Sequence, residues 1–299
     1  LVSCCNMAAS LSLIVAALAI VAGLAGASED AKANKFMVTF SIFPDPLHYF
    51  SFYSMPRTIK EAEKSDFSLA MDNTASDFTT VYCRKGDYRV CVLFDVQGSV
   101  AGIQVSAAVS EIKKANLPQD LDNDEFWIRQ TVLGVEVYST VVYFVGTDVF
   151  ANGGRAMDAD TPTAPNGIFI RSNKVANHLH VSLEEREAEA KGFMKQACFM
   201  GMGRHYFQGL DKTSKCEENK PYFLLFNPKN EKLQGFGITQ FGKVSQGRGF
   251  MSGWFETPPA LVVGMIAPNS PPCLKQFVKK YGIFTMHVYF VDKPWSIRC

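Results

Sequence analysis

Several short motifs occur twice along this chain and keep the same order in its two halves. Ordered recurrence constrains the fold strongly, because it predicts that two stretches of chain build the same set of elements. The pairs are His48-Tyr49-Phe50 with His205-Tyr206-Phe207, Val92-Leu93-Phe94-Asp95 with Leu224-Leu225-Phe226-Asn227, Gly102-Ile103 with Gly237-Ile238, Phe126-Trp127 with Trp254-Phe255, and Val142-Tyr143-Phe144-Val145 with Val288-Tyr289-Phe290-Val291. Each pair alone is a weak signal, but together in register they predict a divergent internal duplication.

The segment 152–167 separates the two copies. It is rich in glycine, proline and small polar residues, which is typical of a linker or a long loop. We therefore predict a first repeat domain at 28–151 and a second repeat domain at 168–299, each of an ordinary domain size.

Strand patterns dominate both predicted domains. Apolar and polar residues alternate from Phe36 to Ile42, as they do in a half-buried strand. Turn residues separate paired apolar runs at Tyr88–Phe94 and Val100–Val105, and again at Tyr222–Phe226 and Leu233–Thr239. Each pair of runs predicts an antiparallel hairpin.

Helix signals are fewer. A capping box at Ser182 predicts a helix that runs towards Met200, and Thr58–Met71 and Val109–Ala115 are shorter candidates. Together with the hairpins, these helices predict the α+β class, with two tandem, divergently duplicated domains. Each domain would be an antiparallel sheet with one or two helices on a face.

The N-terminal segment has the features of a secretory signal peptide. No charged residue precedes Glu29, residues 10–25 are almost entirely apolar, and Ala25-Gly26-Ala27 is a small-residue cleavage signal. Residues 1–27 are therefore expected to be upstream sequence and a signal peptide. A membrane anchor is the alternative, but the run is shorter than the ~20 residues of a spanning helix. Cleavage would give a secreted, extracellular chain with no membrane contact.

The cysteines after residue 27 are even in number, which predicts disulfides in a secreted chain. Cys83 and Cys91 flank a Lys-Gly-Asp turn, so a hairpin could bring their sulfur atoms together. The connectivity of the other four stays open, and one possible pairing is Cys198 with Cys216 and Cys273 with Cys299. Buried free thiols are the alternative.

Charge and motifs point away from several classes of function. The chain carries 30 Lys+Arg and 29 Asp+Glu, so its net charge of +1 does not favour a nucleic-acid partner. No glycine-rich nucleotide loop, P-loop or nucleophile elbow is present in the sequence, so flavin, nicotinamide and nucleotide chemistry have no motif. His178 and His180 could share one strand face in a metal site, although two exposed loop histidines explain the same pattern.

Two histidines of the second half are the candidates for acid–base chemistry. His287 aligns with Val141 of the first half, so only the second half could combine it with His205. Such a pair would act as general base and proton donor near neutral pH. The alternative is a packed histidine that hydrogen-bonds a backbone carbonyl. Arg204 or Tyr206 would stabilise developing negative charge, although Arg204 could equally pair with a carboxylate.

Methionine and aromatic residues crowd the region around His205. Such side chains either form plain core or line an adaptable pocket for a flat ligand. The predicted substrate pocket consists of Phe199, Met202, Phe207 and Tyr289.

The second half resembles a family of secreted proteins from marine invertebrates. The resemblance rests on Cys198-Phe-Met-Gly-Met-Gly-Arg-His-Tyr-Phe207, Pro221-Tyr-Phe-Leu-Leu-Phe-Asn227, Leu233-Gln-Gly-Phe-Gly237, and Thr285-Met-His-Val-Tyr-Phe290 closing at Cys299. The overall plan, with a signal peptide, several cysteines and no oxidase motif, is also similar to the secreted luciferases of syllid fireworms. That resemblance implies light emission through oxidation of a small aromatic luciferin.

These features together predict a secreted oxygenase of the luciferase type that oxidises a small aromatic substrate. O2 would be the co-substrate, no cofactor would be needed, and His205 or His287 would be the base. We expect a monomer without a nucleic-acid partner and, after signal cleavage, without a membrane partner. The alternative is a non-catalytic secreted binding or matrix protein with an aromatic-lined pocket.

Overall fold

The computed structural model describes residues 32–299 except 43–44, 46–47, 74–78, 175–177 and 250–251. The predicted signal peptide at 1–27 lies outside the described residues. Within the described part of the chain, no helix is long and apolar enough to cross a membrane.

The elements before residue 152 are β1 (Met37–Thr39), β2 (Ser41–Ile42), β3 (Phe52–Ser54), α1 (Ile59–Lys64), β4 (Phe67–Asn73), β5 (Thr79–Arg84), β6 (Val90–Asp95), β7 (Val100–Ala108), α2 (Val109–Lys114), β8 (Ile128–Val132), β9 (Val135–Tyr143) and α3 (Thr147–Ala151). The later elements are β10 (Ile168–Ile170), β11 (Leu179–Val181), α4 (Glu185–Ala190), β12 (Phe193–Phe199), β13 (Gly203–Gln208), β14 (Tyr222–Phe226), β15 (Leu233–Phe241), β16 (Ser252–Gly253), α5 (Ala260–Ile266), α6 (Cys273–Tyr281) and β17 (Ile283–Tyr289).

Two antiparallel sheets organise these strands. The first sheet has the order β11-β10-β9-β7-β6-β5-β4, with β8 also paired to β9. The second sheet has the order β12-β13-β14-β15-β17-β1-β3, and β2 pairs with β16 in a separate ribbon. The predicted α+β class with antiparallel sheets is confirmed, and the two predicted hairpins are β6–β7 and β14–β15.

At one edge of each sheet, two strands come from the other half of the chain. The strands β1 and β3 extend the second sheet beside β17, and β10 and β11 extend the first sheet beside β9. The predicted domains 28–151 and 168–299 are therefore not separate units, and Lys32–Cys299 forms one compact unit.

The segment 152–167, which was predicted to be a linker, is fixed against the first half. The guanidinium of Arg155 donates to the carbonyl oxygen of Val100 at 2.9 Å. The hydroxyl of Thr163 donates to the carbonyl oxygen of Lys35 at 2.7 Å. These contacts fix the segment against β7 and against the residues that precede β1.

The registers of the central strands of the two sheets correspond position by position. Leu93 pairs with Gly102 in the first sheet and Leu225 pairs with Gly235 in the second, and both ladders shift register at the next residue. A bulge re-aims the side chains that follow it. The same irregularity therefore occurs at the same place in the two sheets.

Glycine is required at both of these positions. A Cβ on Gly102 would come 2.6 Å from the carbonyl oxygen of Val142, and a Cβ on Gly235 would come 2.2 Å from that of Val288. The central strands therefore approach each other closely at equivalent points of the two sheets.

Three of the five repeated motifs occupy corresponding positions when the registers are compared. They are Val92–Asp95 with Leu224–Asn227, Phe126-Trp127 with Trp254-Phe255, and Val142–Val145 with Val288–Val291. Gly102 corresponds to Gly235 and not to Gly237, so the predicted pairing of Gly102-Ile103 with Gly237-Ile238 is displaced by two residues. His48 lies in the loop before β3 whereas His205 lies in β13, so these two residues do not correspond.

The inner faces of the two sheets share the main core. Phe144, which follows β9, contacts Phe36, Phe236 and Phe290 with ring centroids 5.1, 6.2 and 5.2 Å apart. The outer face of the first sheet has its own packed cluster, which includes Val81 and Val141. The outer face of the second sheet differs, because it borders a cavity.

The helix predicted to run from Ser182 towards Met200 is much shorter than expected. α4 ends at Ala190, and Gly192 adopts a φ of +81° before β12 begins at Phe193. Glycine with positive φ is a common helix terminator, and the residues beyond it pair with β13 as a strand.

Three disulfides link the six predicted cysteines. Cys83–Cys91 is confirmed and joins facing residues of β5 and β6. The possible pairing of Cys198 with Cys216 and Cys273 with Cys299 is wrong, and the bonds are Cys198–Cys299 and Cys216–Cys273. The C-terminal tail runs beside the β12–β13 turn, which brings Cys299 to Cys198 and leaves Cys216 facing the start of α6.

Candidate functional site

A cavity with a volume of about 520 Å³ lies against the outer face of the second sheet. Side chains of β13, β14, β15 and β17 line one side, and Val262, Val263 and Ile266 of α5 face them. The loop before β3 closes one flank, where the carboxylate of Asp45 accepts hydrogen bonds from the Phe50 amide at 2.7 Å and the Ser51 hydroxyl at 2.6 Å. The lining is mostly apolar, which favours a largely apolar ligand.

His205 lines this cavity as a neutral imidazole. It is 1% exposed and faces the bulge that separates Lys195 from Cys198 in β12. Burial and the nearby charge of His287 lower the pKa of His205 to about 3. The carbonyl oxygens of Ala197 and Gly203 act to raise this pKa, but neither is placed for a normal hydrogen bond to the ring.

Polar atoms of the cavity lack partners inside the described protein. Both ring nitrogens of His205 have no hydrogen-bond partner there, and neither does the hydroxyl of Thr285, which is 8% exposed. Buried polar groups without partners are costly. A ligand that supplies a donor and an acceptor would satisfy these atoms.

His287 and Glu256 form a buried pair in the same cavity. Nδ1 of His287 lies 3.2 Å from Oε1 of Glu256 and 3.4 Å from the hydroxyl of Thr39, and their side chains are 4% and 12% exposed. Burial acts to raise the pKa of Glu256, but the charge and hydrogen bond of His287 outweigh it and lower the value to about 2. The carboxylate therefore stays ionised and leaves Nε2 of His287 as the nitrogen that can meet a ligand.

The two predicted histidines converge. Their ring centroids are 6.0 Å apart and the rings are nearly perpendicular. Phe223 contacts both, with centroid distances of 5.5 Å to His205 and 5.1 Å to His287. The structure thus brings together a neutral imidazole and a carboxylate-paired imidazole on an aromatic wall.

Arg204 and Tyr206 lie on the opposite face of β13 from His205, so the structure does not bring them to this cavity. Side chains of consecutive strand residues point to opposite faces. Arg204 donates to both oxygens of Glu185 at 2.9 and 3.0 Å, and the Tyr206 hydroxyl donates to the same carboxylate and to Glu189. The predicted anion-stabilising role is corrected to a structural one, because Glu185 already uses both groups.

Three of the four predicted pocket residues line the cavity, namely Phe199, Met202 and Phe207. Tyr289 does not line it. Its ring is fully buried, stacks parallel to His287 at 6.2 Å and donates a hydrogen bond to the carbonyl oxygen of Met202 at 3.3 Å. Tyr289 therefore packs beside His287 without lining the cavity.

His178 and His180 lie far from this site, at the edge of the first sheet. The His180 ring stacks on Phe169 at 4.4 Å and the His178 ring lies 4.9 Å from Tyr143. No group of three or more metal-ligating side chains occurs among the described residues. The two rings do share one face, as predicted, but they meet aromatic neighbours.

Sequence reasoning missed Glu256 and Thr285, although Glu256 directly follows the recurring motif Phe126-Trp127 with Trp254-Phe255. When the registers of the two sheets are aligned, His205 corresponds to Val81, His287 to Val141 and Glu256 to Ile128. Each apolar residue of the first half is thus replaced by an ionisable residue in the second. This replacement marks the second sheet as the half with the site.

Comparison with known protein families, curated proteins and solved structures finds no match to this chain. The residues of the cavity are therefore the basis for a proposed function.

Proposed function

We propose that the cavity binds a small, largely apolar aromatic molecule and that His287 removes a proton from it. The observation that carries this proposal is the His287–Glu256 pair beside the neutral His205 in an apolar cavity. The carboxylate holds the imidazole by Nδ1 and stabilises the imidazolium that forms after proton transfer, as in an acid–histidine pair of a hydrolase.

The reaction that such a base supports is a cofactor-independent oxidation of the luciferase type. The substrate loses its proton to Nε2 of His287, and the resulting anion transfers one electron to O2. The substrate radical and superoxide then combine, which forms a C–O bond, and the hydroperoxide anion takes the proton back from His287. Substrate and O2 thus sum to a hydroperoxide. Cleavage of its O–O bond with loss of water would leave an excited carbonyl product, which the apolar walls shield from solvent.

His205 and Thr285 take the roles that the sequence had assigned to Arg204 and Tyr206. A neutral imidazole can donate a hydrogen bond to a developing oxyanion, and a hydroxyl can do the same. Both groups line the cavity and lack partners in the described protein. They would hold the oxygen substituent of the substrate while His287 takes the proton.

Light emission tests this proposal. The purified full-length chain is mixed in air with a crude fireworm luciferin extract, and photons are counted against heat-denatured and O2-free controls. We expect O2-dependent light that falls at least ~100-fold in His287→Val, since general-base catalysis contributes 10²–10⁴-fold. His180→Val is the matched control and should keep the light. No light above the heat-denatured control would end the luciferase proposal, and unchanged light in His287→Val would end the base assignment.

The second candidate is a secreted protein that binds an aromatic molecule without changing it. The predominance of apolar side chains in the lining favours this alternative. Titration with 1-anilinonaphthalene-8-sulfonate measures occupancy of the cavity. Saturable binding that His287→Val leaves unchanged, together with no light from the wild type, would support binding alone.

Secretion, a monomeric state and an ancestral duplication belong to the same proposal. Three disulfides support an oxidising compartment, and the matching registers of the two sheets support duplication. Thiol titration of the protein collected from the medium of expressing cells tests secretion. Free thiols at all six positions would contradict it.

A further inference from the structure

The outer side of α5 is apolar and exposed. All seven residues of this helix, Ala260–Ile266, are apolar or glycine, and an all-apolar helix is normally buried on every side. Its inner residues line the cavity, but Leu261 is 72% exposed and Met265 is 55% exposed. These two residues are four positions apart and therefore form one continuous face.

Exposed apolar side chains recur on the other segments that line the cavity. Phe50, 80% exposed, and Tyr49 lie between the lining residues His48 and Ser51. Met200 lies in the turn between the lining residues of β12 and β13 and is also exposed. Five of the nine large exposed apolar residues in the described chain thus belong to cavity-forming segments, which is a concentration typical of an interaction surface.

The region that carries α5 and α6 is basic as well as apolar. The sequence from 257 to 291 contains no Asp or Glu, whereas Lys275, Lys279 and Lys280 are exposed on α6. Within the described residues, none of these three lysines forms an ion pair. The Lys275 side chain crosses α5 at Gly264, where an added Cβ would come 2.1 Å from its Cε. A cation therefore lies beside the exposed apolar face.

We propose that α5 and α6 dock on the surface of an anionic lipid bilayer. Leu261 and Met265 would enter the interfacial region, and the lysines of α6 would meet anionic headgroups. The sequence predicted no membrane contact for the mature chain, and this inference revises that expectation for peripheral binding. Because α5 also borders the cavity, docking would bring the cavity next to the acyl region, from which an apolar ligand can enter.

Vesicle co-sedimentation of the chain from Ser28, which lacks the apolar run 10–25, tests the docking. The probes are vesicles of phosphatidylcholine alone and of phosphatidylcholine mixed with phosphatidylglycerol, each at low and high salt. We expect binding to the mixed vesicles that weakens with salt and much weaker binding to the neutral ones. No binding to the mixed vesicles, or equal binding to both, would overturn the proposal.

Substitutions separate the apolar and basic contributions. Leu261→Ser with Met265→Ser should weaken vesicle binding about ten-fold or more, because two side chains that would be buried in the bilayer interface lose their apolar surface. Lys275→Gln with Lys279→Gln should weaken binding to anionic vesicles about 25-fold, at ~5-fold per lysine. Binding to neutral vesicles should not change. Leu69→Ser, at an apolar residue of β4 that is 53% exposed, is the matched control and should bind as the wild type does.

A second copy of the chain is the competing occupant of this face. Sedimentation velocity in the absence of lipid distinguishes the two. A wild-type dimer that Leu261→Ser with Met265→Ser converts to a monomer, without vesicle binding by either, would overturn the proposal. The measurement does not depend on light emission, so docking and the proposed oxidation can fail separately.

Discussion

At His205, burial decides the protonation state of the imidazole. The pKa is about 3 in the folded chain against an ordinary value of 6.5. Between these values the unfolded chain binds one more proton than the folded chain, so the stabilisation that neutral His205 gives is complete above about pH 6.5 and is lost as pH falls. The loss amounts to ~1.4 kcal/mol for each pH unit.

We predict that His205→Val removes this pH dependence. Valine occupies the corresponding position 81 of the first sheet, so the substitution suits the strand and the surrounding apolar walls. Urea denaturation between pH 7 and pH 5 should show a falling free energy of unfolding in the wild type and a flatter profile in His205→Val. Equal slopes in the two proteins would contradict the neutral assignment.

Glu256 titrates in a different window from His205. Its pKa is lowered from 4.5 to about 2, so its stabilising charge is complete above about pH 4.5 and is lost as pH falls towards 2. We predict that Glu256→Gln flattens the profile of the unfolding free energy below pH 4.5, because glutamine has no charge to lose there. Urea denaturation between pH 5 and pH 3 checks this, and an equally steep fall in Glu256→Gln and in the wild type would contradict the lowered pKa of Glu256.

At the scale of elements, the Cys216–Cys273 bond fixes the region that covers the cavity. It joins the 3-10 turn after β13 to the first residue of α6, whose neighbour Leu274 lines the cavity. The bond closes 57 residues, whereas Cys83–Cys91 closes eight. Closing a longer loop removes more entropy from the unfolded chain. The chain-entropy model therefore gives a stabilisation of about 4 kcal/mol for Cys216–Cys273 and about 2.5 kcal/mol for Cys83–Cys91.

We predict that removing these two bonds has different effects on the cavity. Serine pairs at Cys216 and Cys273, and separately at Cys83 and Cys91, should both lower the free energy of unfolding. Only the first pair should weaken binding of 1-anilinonaphthalene-8-sulfonate, because only that bond holds α6 beside the cavity. Equal loss of probe binding in both variants would show that the cavity responds to global stability alone.

The sequence was most informative where local pattern and turn chemistry coincide. The hairpins β6–β7 and β14–β15 follow from apolar runs around turn residues, and Cys83–Cys91 follows from such a turn. The strands β12 and β13 were missed because a capping box and a Met- and Phe-rich stretch also fit a helix. Tertiary pairing with β14 decides that ambiguity, and no local pattern encodes it.

The site was predictable in part for a similar reason. His205 and His287 share a face because both lie at outward positions of their strands, and the recurring motifs identified only the strand of His287. Glu256 lies in a loop and reaches His287 only because β16 and the following residues fold back on β17. Arg204 and Tyr206 were misplaced because adjacency in sequence was taken as adjacency in space, whereas a strand alternates its side chains.

At the scale of the whole molecule, the exchanged hairpins join the two halves. The pair β1–β3 completes the sheet that ends at β17, and β10–β11 completes the sheet that ends at β9. The lead-in residues pack into the shared core as well, since Phe36 contacts Phe144. Each half therefore buries part of its apolar surface only when the other half is present, which couples the folding of the two sheets.

We predict that the two halves fold only together. Cleavage between Pro165 and Asn166, both exposed, would give fragments Lys32–Pro165 and Asn166–Cys299. Separately, each would expose the edge of β9 or β17 and a hairpin without its sheet, so each should aggregate. Co-expressed, they should form a non-covalent one-to-one complex, because every disulfide lies within one fragment. Size-exclusion chromatography with light scattering measures this, and a monomeric fragment with cooperative unfolding would show instead that a half is an independent domain.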